Sequence, residues 1–153
     1  MVGGQWSESA DADEQTLAES AFFWREKDGV RVLVCHALEA AGFVNGFSTR
    51  LGGVSAFPSG DLNLAGFDED AEENILENRR RFMAVFGDDF DLVVVWQVHG
   101  DTIKTVTSPN DIRSSEDRAD ALVSNLNDVL LGVKTADCVP VLIGDRRTGA
   151  FEV

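Results

Sequence analysis

One cysteine and one histidine lie at the ends of apolar or polar runs where a folded protein could use them for chemistry. His99 follows the apolar run at 93–98, and Cys138 follows the polar stretch at 134–137. Side chains at such ends are held by a rigid element and still reach a ligand. The two could form a thiolate–imidazolium nucleophile pair, or they could be two ligands of a zinc ion that needs a third. The spacing alone does not choose between these sites.

The other cysteine and histidine have a structural interpretation. Cys35 belongs to the apolar run at 30–35 and is expected to behave as a small hydrophobic residue. His36 follows that run and is interpreted as structural. We expect no disulfide between Cys35 and Cys138, because a reducing compartment and the chemistry considered for Cys138 both favour free thiols.

A polar, glycine-rich loop carries a second set of candidate groups. Ser48 and Arg50 are followed by the pair Gly52-Gly53. Amides of such a loop can converge on an anion, and an arginine can bind phosphate through two parallel hydrogen bonds. The alternative is a surface turn with a solvated arginine. Asn63 offers a further polar group that a ligand or the solvent could use.

Apolar periodicity divides the chain into strands and one clear helix. The helix is predicted to begin at the capping signature at 70–73 and to end at Gly87, with the arginine run at 79–81 on a solvated face. The sequence predicts strands at 30–35, 42–47, 92–98, 102–106, 129–134 and 139–143, with an incomplete strand at 150–153. This order favours a mixed α/β or α+β sheet domain.

Length and charge restrict the class of protein. A chain of 153 residues that is 44% hydrophobic fits one domain, which we place at 21–153 after a disordered acidic tail at 1–20. The 27 acidic against 13 basic residues give a net charge of −14, which repels nucleic acid and anionic membranes, so neither is an expected partner. Since neither a membrane span nor a signal peptide is recognisable, we expect a cytoplasmic protein.

Six short motifs occur in the order and near the spacing seen in one known family. They are GFSTRLGGVS at 46–55, LNL at 62–64, ENRR at 77–80, QVHG at 97–100, ADALV at 119–123 and TADCVPVL at 135–142. On these motifs, residues 30–153 resemble the laccase-domain family, also called polyphenol-oxidase or multicopper-oxidase-like. The resemblance implies an α/β fold similar to that of cysteine-hydrolase-like proteins, a mixed β-sheet with flanking helices.

The resemblance also implies a metal centre. In the family a zinc or copper ion is bound by a His, a Cys and a second His, and the first two correspond to His99 and Cys138. The second His belongs to a His-Ala-Gly-Trp-Arg-Gly motif that this sequence does not contain. We therefore expect a C-terminally incomplete laccase domain with weakened metal binding and low activity.

The activity implied by the resemblance is phosphorolysis of purine nucleosides (adenosine, inosine, guanosine, methylthioadenosine) together with deamination of adenosine. His99, Cys138 and Arg50 are then the expected catalytic residues. Ser48, Arg50, Gly52, Gly53 and Asn63 are expected to bind substrate or phosphate. The expected partners are purine nucleoside and phosphate, with a homo-oligomer or a complementing C-terminal fragment as further alternatives.

Two other functions stay open at the level of the sequence. Cys138 could be the nucleophile and His99 the base of a metal-free cysteine hydrolase. The chain could also be a non-catalytic remnant that acts as a binding module. The older copper-oxidase description fits less well, because a multicopper centre needs many histidines and the chain has two.

Overall fold

The computed structural model describes residues 15–17, 19–56, 60–66, 70–87, 89–108, 110, 111 and 117–153. Most of the acidic tail predicted at 1–20 lies outside these ranges, and residues 15–17 at its end are helical. Among the described residues, no helix is long and apolar enough to cross a membrane.

The first sheet has three antiparallel strands. They are β1 (Phe22–Lys27), β2 (Val30–Cys35) and β3 (Phe47–Ser48), with β2 in the middle. Side chains along a strand alternate between its two faces, and Val30, Val32 and Val34 are therefore all fully buried on one face of β2. They form an apolar core with Leu62 and Val85.

Two helices are joined to this sheet. α1 (His36–Ala40) follows β2 directly, and α2 (Glu72–Ala84) is the helix predicted from the apolar periodicity. α2 begins later than the capping signature predicted, with Ala71 at the N-cap. The Asp70 carboxylate instead accepts hydrogen bonds from the Ala71 amide at 2.7 Å and the Asn74 side chain at 3.1 Å.

The C-terminal end of α2 also differs from the prediction. The helix ends at Ala84, three residues before Gly87. The amides of Val85 and Phe86 donate to the carbonyls three residues back, which tightens the last turn before Gly87 takes a φ of +124°. Gly87 therefore redirects the chain after the helix rather than ending it.

The remaining strands form the second half of the domain. β4 (Asp91–Val94) pairs in parallel with β7 (Val129–Gly132), while β5 (Ile103–Val106), β6 (Ala121–Ser124), β9 (Ala150–Glu152) and β8 (Ile143–Asp145) lie side by side in that order. β5 and β6 are parallel, and β9 is antiparallel to both of its neighbours. One apolar core lies between the two sheets and comprises Val93, Val95, Val106, Ala119, Leu122 and Val129. The mixed α/β fold is therefore confirmed.

The strand predicted at 42–47 is wrong over most of its length, because only Phe47 belongs to a strand. A side chain replaces backbone pairing there. Asn45 Oδ1 accepts from the Cys35 amide at 2.8 Å, and Asn45 Nδ2 donates to the Cys35 carbonyl at 3.2 Å. The backbone at 43–46 is consequently free to turn away from the sheet.

The strand predicted at 139–143 is wrong for a different reason. Pro140 has no amide to donate to a ladder, and β8 begins only at Ile143. Val139 and Val141 are 87% and 63% exposed. The other predicted strands are present with ends that shift by up to four residues, while β1 and β6 were not predicted as strands.

Candidate active site

A cavity of about 530 Å³ lies between the loop after β3, α2 and the segment after β7. Its walls include four of the residues singled out from the sequence: Ser48, Arg50, Asn63 and Cys138. Arg79 and Lys134 also line it, and neither was predicted as a site residue. His99, Gly52 and Gly53 do not belong to its lining.

Topology brings the segments of His99 and Cys138 to the same edge of a sheet. His99 lies five residues after β4 and Cys138 six residues after β7, and these two strands are parallel neighbours. Carboxyl ends of adjacent parallel strands meet at one edge, where α/β proteins commonly bind ligands. The Lys134 ammonium lies 5.7 Å from the centre of the Trp96 ring, so the two segments are in contact.

Hydrogen bonds from backbone amides to the Asp120 carboxylate surround His99, which has an unusual backbone conformation. Its φ is +59°, in the left-handed region that residues with a Cβ seldom adopt, and its side chain is exposed. The Asp120 carboxylate accepts from the amides of Val98 and Gly100, each at 3.0 Å. Burial favours the neutral carboxyl, but the amides of Gly100, Val98, His99 and Thr102 together lower its pKa. An ionised Asp120 therefore fixes the turn that presents His99.

The donors available for a metal fit a zinc or copper ion in type but not in number. His99 and Cys138 are both exposed, and both Cys138 and Cys35 are free thiols. Within the described ranges, no three His, Cys, Asp or Glu side chains come together as a metal site. A catalytic zinc usually has three protein ligands, so the two residues would supply only part of the set.

The guanidinium of Arg50 is available at the cavity wall. Its Nε lies 3.5 Å from Asp61 Oδ1, and its side chain is 68% exposed. Such a long, exposed ion pair contributes little to stability, so the guanidinium can exchange Asp61 for another anion at small cost. Asn63 Oδ1 is already used, because it accepts from the Ala65 amide at 3.0 Å.

The Gly52-Gly53 pair is required by close backbone contacts. A Cβ on Gly52 would lie 2.4 Å from the Gly29 carbonyl oxygen, and one on Gly53 would lie 1.9 Å from the Asp61 carbonyl oxygen. The Gly53 amide donates to the Gly60 carbonyl at 2.9 Å and is therefore engaged within the loop. These contacts account for both glycines by packing, and their expected phosphate contact stays a prediction.

The arginine run of α2 is only partly solvated, contrary to the sequence-based interpretation. Arg80 is exposed and pairs with Glu77 at 2.7 Å. Arg79 Nη2 donates to the Ala65 carbonyl at 3.0 Å, and Arg81 Nη1 donates to the Gly52 carbonyl at 3.1 Å. Two of the three arginines thus donate to backbone carbonyls on either side of the loop segment, at Gly52 and at Ala65.

Arg79 and Lys134 are the cavity residues that the sequence did not single out for binding. Arg79 lies in the ENRR motif. A run of charged residues in a helix normally indicates a solvent-exposed face, and the sequence does not show which loop packs against it. Burial lowers the pKa of Arg79 from its ordinary value. Lys134 lies in the polar approach to Cys138, and that position was its only signal.

Comparison with known proteins gives a consistent set of relatives. A purine nucleoside phosphorylase of Mycobacterium tuberculosis is 41% identical over 104 residues, which are 67% of this chain and 40% of that protein. The purine nucleoside phosphorylase YfiH of Escherichia coli is 40% identical over 100 residues, which are 65% of this chain and 40% of that protein. The chain thus spans less than half the length of these curated relatives.

Solved structures share the fold. YlmD from Geobacillus stearothermophilus superposes with a TM-score of 0.73 at 29% identity, over 86% of this chain and 50% of that one. The hypothetical protein YfiH of Bacillus licheniformis gives a TM-score of 0.73 at 25% identity over the same shares. Residues 44–152 match the model of the family described as multi-copper polyphenol oxidoreductase laccase. The chain therefore belongs to this laccase-domain family, whose curated relatives are named purine nucleoside phosphorylases.

Proposed function

We propose that this chain carries the phosphate- and nucleoside-binding part of a purine nucleoside phosphorylase. The observation that carries the proposal is the single cavity lined by Ser48, Arg50, Asn63 and Cys138, with Lys134 also in its wall. The curated relatives are named for this activity. In phosphorolysis a phosphate oxygen attacks the ribose carbon, the glycosidic bond breaks, and the purine leaves with the electron pair and takes up a proton.

Charge supports an anion in this cavity. In a chain with a net charge of −14, the cavity wall includes three basic residues, Arg50, Arg79 and Lys134, against one acidic residue, Glu152. Arginine can hold two phosphate oxygens at once, and charge-assisted hydrogen bonds are the strong ones. Arg50 is well placed to do so, because its ion pair with Asp61 is long and exposed.

Adenosine deamination belongs to the proposal as a second reaction. It would use His99 and Cys138 as two ligands of a zinc ion, with copper as the alternative ion. A bound zinc lowers the pKa of a water molecule and so supplies a nucleophile at neutral pH. Asp120 would hold His99 in place by fixing the amides on either side of it.

A metal-free thiol hydrolase is the second candidate, because Cys138 lines the cavity and is exposed. That mechanism also needs a base within hydrogen-bond reach of the thiol. His99 does not line the cavity that Cys138 lines, so no hydrogen bond between base and thiol supports this mechanism. The two candidates separate experimentally, since a thiol hydrolase keeps its activity when phosphate and metal are removed.

We further propose that a complementing C-terminal segment covers an apolar face of this domain. Val139, Val141 and Ile143 are 87%, 63% and 55% exposed, and β8 lies at the edge of its sheet. Exposed apolar side chains beside an edge strand are typical of a surface that another segment covers. The solved relatives have about as much chain again outside the matched half. A homo-oligomer through the same face is the alternative.

Two arginines with similar ion pairs provide the test of phosphate binding. Arg147 Nε lies 3.5 Å from Asp145 Oδ1, as Arg50 Nε does from Asp61 Oδ1, but Arg147 does not line the cavity. We expect calorimetry with inorganic phosphate to show binding that Arg50→Ala weakens and Arg147→Ala does not. Adding the second half of the Geobacillus stearothermophilus relative should give inosine phosphorolysis. Equal effects of the two substitutions would refute the proposed phosphate site.

A further inference from the structure

Asn78 of α2 is fully buried and makes three hydrogen bonds to the loop at 49–65. Its Oδ1 accepts from the Val54 amide at 2.8 Å. Its Nδ2 donates to Ser55 Oγ and to the Asn63 carbonyl, both at 2.9 Å. Both amide protons and the amide oxygen of one side chain are thus used to join a helix to two separate stretches of loop.

The two stretches that Asn78 joins are also bonded to each other. The Leu62 amide donates to the Arg50 carbonyl, and the Ser55 amide donates to the Asp61 carbonyl at 3.1 Å. Arg50 therefore lies on one arm of a paired loop. The other arm comprises residues 61–63. The Asn63 carbonyl accepts a hydrogen bond from Asn78, and Asn63 lines the cavity together with Leu62 and Leu64.

Asn78 does not line the cavity, whereas the residues at the open end of the paired loop do. We propose that Asn78 is a positioning residue, which holds the paired loop so that Arg50 and Asn63 face the cavity beside Cys138. The expected effect of Asn78 on phosphate affinity rests on the proposed function. Its expected effect on the conformation of the loop rests on the three hydrogen bonds alone.

Substitution of Asn78 should loosen the loop before it loosens the sheet. Asn78→Ala leaves the Val54 amide and the Asn63 carbonyl without their partner in a buried place, which favours loop conformations that reach water. We expect amide hydrogen exchange at Val54 and Leu62 to accelerate by about tenfold or more, while β2 stays protected. The Kd for inorganic phosphate should rise by about tenfold, since Arg50 then samples other positions.

Two further variants separate positioning from general stability. Ile75 is fully buried on the same helix, so Ile75→Val lowers the Tm without removing a bond to the loop. Ser55→Ala removes only one of the three bonds and serves if Asn78→Ala fails to fold. We expect Ser55→Ala to raise loop exchange and the phosphate Kd by less than Asn78→Ala, and Ile75→Val to change neither.

Unchanged exchange at Val54 and Leu62 in both Asn78→Ala and Ser55→Ala would overturn the inference. An equal rise of the phosphate Kd in Ile75→Val would also overturn it, because stability alone would then explain the effect. If the unsubstituted chain binds no phosphate, the proposed function fails. The exchange measurement still decides whether Asn78 holds the loop.

Discussion

Gly52 shows, at the scale of single residues, how a motif that suggests phosphate binding can be required by packing. Its φ is +87°, and its backbone lies against Gly29 and Val30 of the neighbouring hairpin. Gly42 has a similar φ of +94° but has no atom within 4 Å of the place where a Cβ would be. The pair therefore separates the cost of a left-handed backbone from the cost of a steric clash.

We expect Gly42→Ala to lower the free energy of unfolding by about 1 kcal/mol, because only the left-handed conformation is penalised. Gly52→Ala should cost about 1 to 3 kcal/mol more, because its Cβ must displace the Gly29 carbonyl. Urea denaturation of both variants measures the difference. Equal midpoints would mean that the loop moves aside freely and that the close contact has no structural importance.

Four residues singled out from the sequence, Ser48, Arg50, Asn63 and Cys138, line one cavity, whereas His99, Gly52 and Gly53 do not. The roles of all seven stay predictions. Arg79 was missed because its environment depends on a loop 14 residues away in sequence, where the Ala65 carbonyl accepts a hydrogen bond from its guanidinium. No local pattern reports such a contact.

At the scale of secondary-structure elements, a side chain can take the place of a pairing strand, and Asn45 is a clear case. Its amide caps the end of β2 by bonding both the amide and the carbonyl of Cys35, and it is 8% exposed. Asn45→Ala should lower the free energy of unfolding by about 1 to 3 kcal/mol, since it removes the side-chain partner of two partly buried backbone groups. Asn127→Ala, at an exposed asparagine, is the control and should have little effect in the same thermal or urea unfolding measurement.

The ionisation of Glu77 makes the stability of α2 depend on pH. Its pKa is lowered from 4.5 to about 2, first by the hydrogen bond from Arg80 and then by that from Arg81. Because the folded-state pKa lies below the unfolded value, the stabilisation is complete above pH 4.5 and is lost as the pH falls towards 2.

Urea midpoints at several pH values between 6 and 2 should therefore fall less steeply for Glu77→Gln than for the unsubstituted chain, which follows from linkage over roughly this range. Glu73→Gln, at an exposed glutamate in the first turn of the same helix, is the matched control. A parallel loss of stability in Glu77→Gln and the unsubstituted chain would show that the Arg80 and Arg81 contacts do not persist in solution.

The elements were predicted best where burial alternates or repeats regularly. β2 was predicted with its observed ends, because its three buried valines alternate with half-buried residues. β1 was missed because charged residues make up half of it, although Asp28-Gly29 in the following turn has the two positive φ values of a tight hairpin. That dipeptide was a usable signal in the sequence.

At the scale of the whole molecule, charged groups and exposed apolar side chains are unevenly distributed over the described part of the chain. Its net charge is −14, yet three basic residues line the cavity and an apolar face follows Cys138. Neither property follows from composition, because both depend on which loops the two sheets bring together. The family relation and the fold could be predicted from six motifs, whereas the contents of the cavity wall needed the structure.

The proposed metal centre can be tested at the scale of the whole molecule, because its two expected ligands lie on loops that follow different strands. The chain also has a second cysteine and a second histidine, which are not expected to bind the metal and serve as controls. We expect the chain alone to bind zinc weakly, since His99 and Cys138 leave half of a tetrahedral shell to water. Cys138→Ser and His99→Ala should each abolish this binding in a zinc titration. Cys35→Ser and His36→Ala should preserve it, because these residues lie together at the end of β2, in a different sheet from β4 and β7.

Adding the second half of a solved relative should raise the zinc affinity of the unsubstituted chain and not that of Cys138→Ser. Retention of stoichiometric zinc by Cys138→Ser after dialysis against a chelator would exclude this thiol as a ligand and favour its use as a nucleophile.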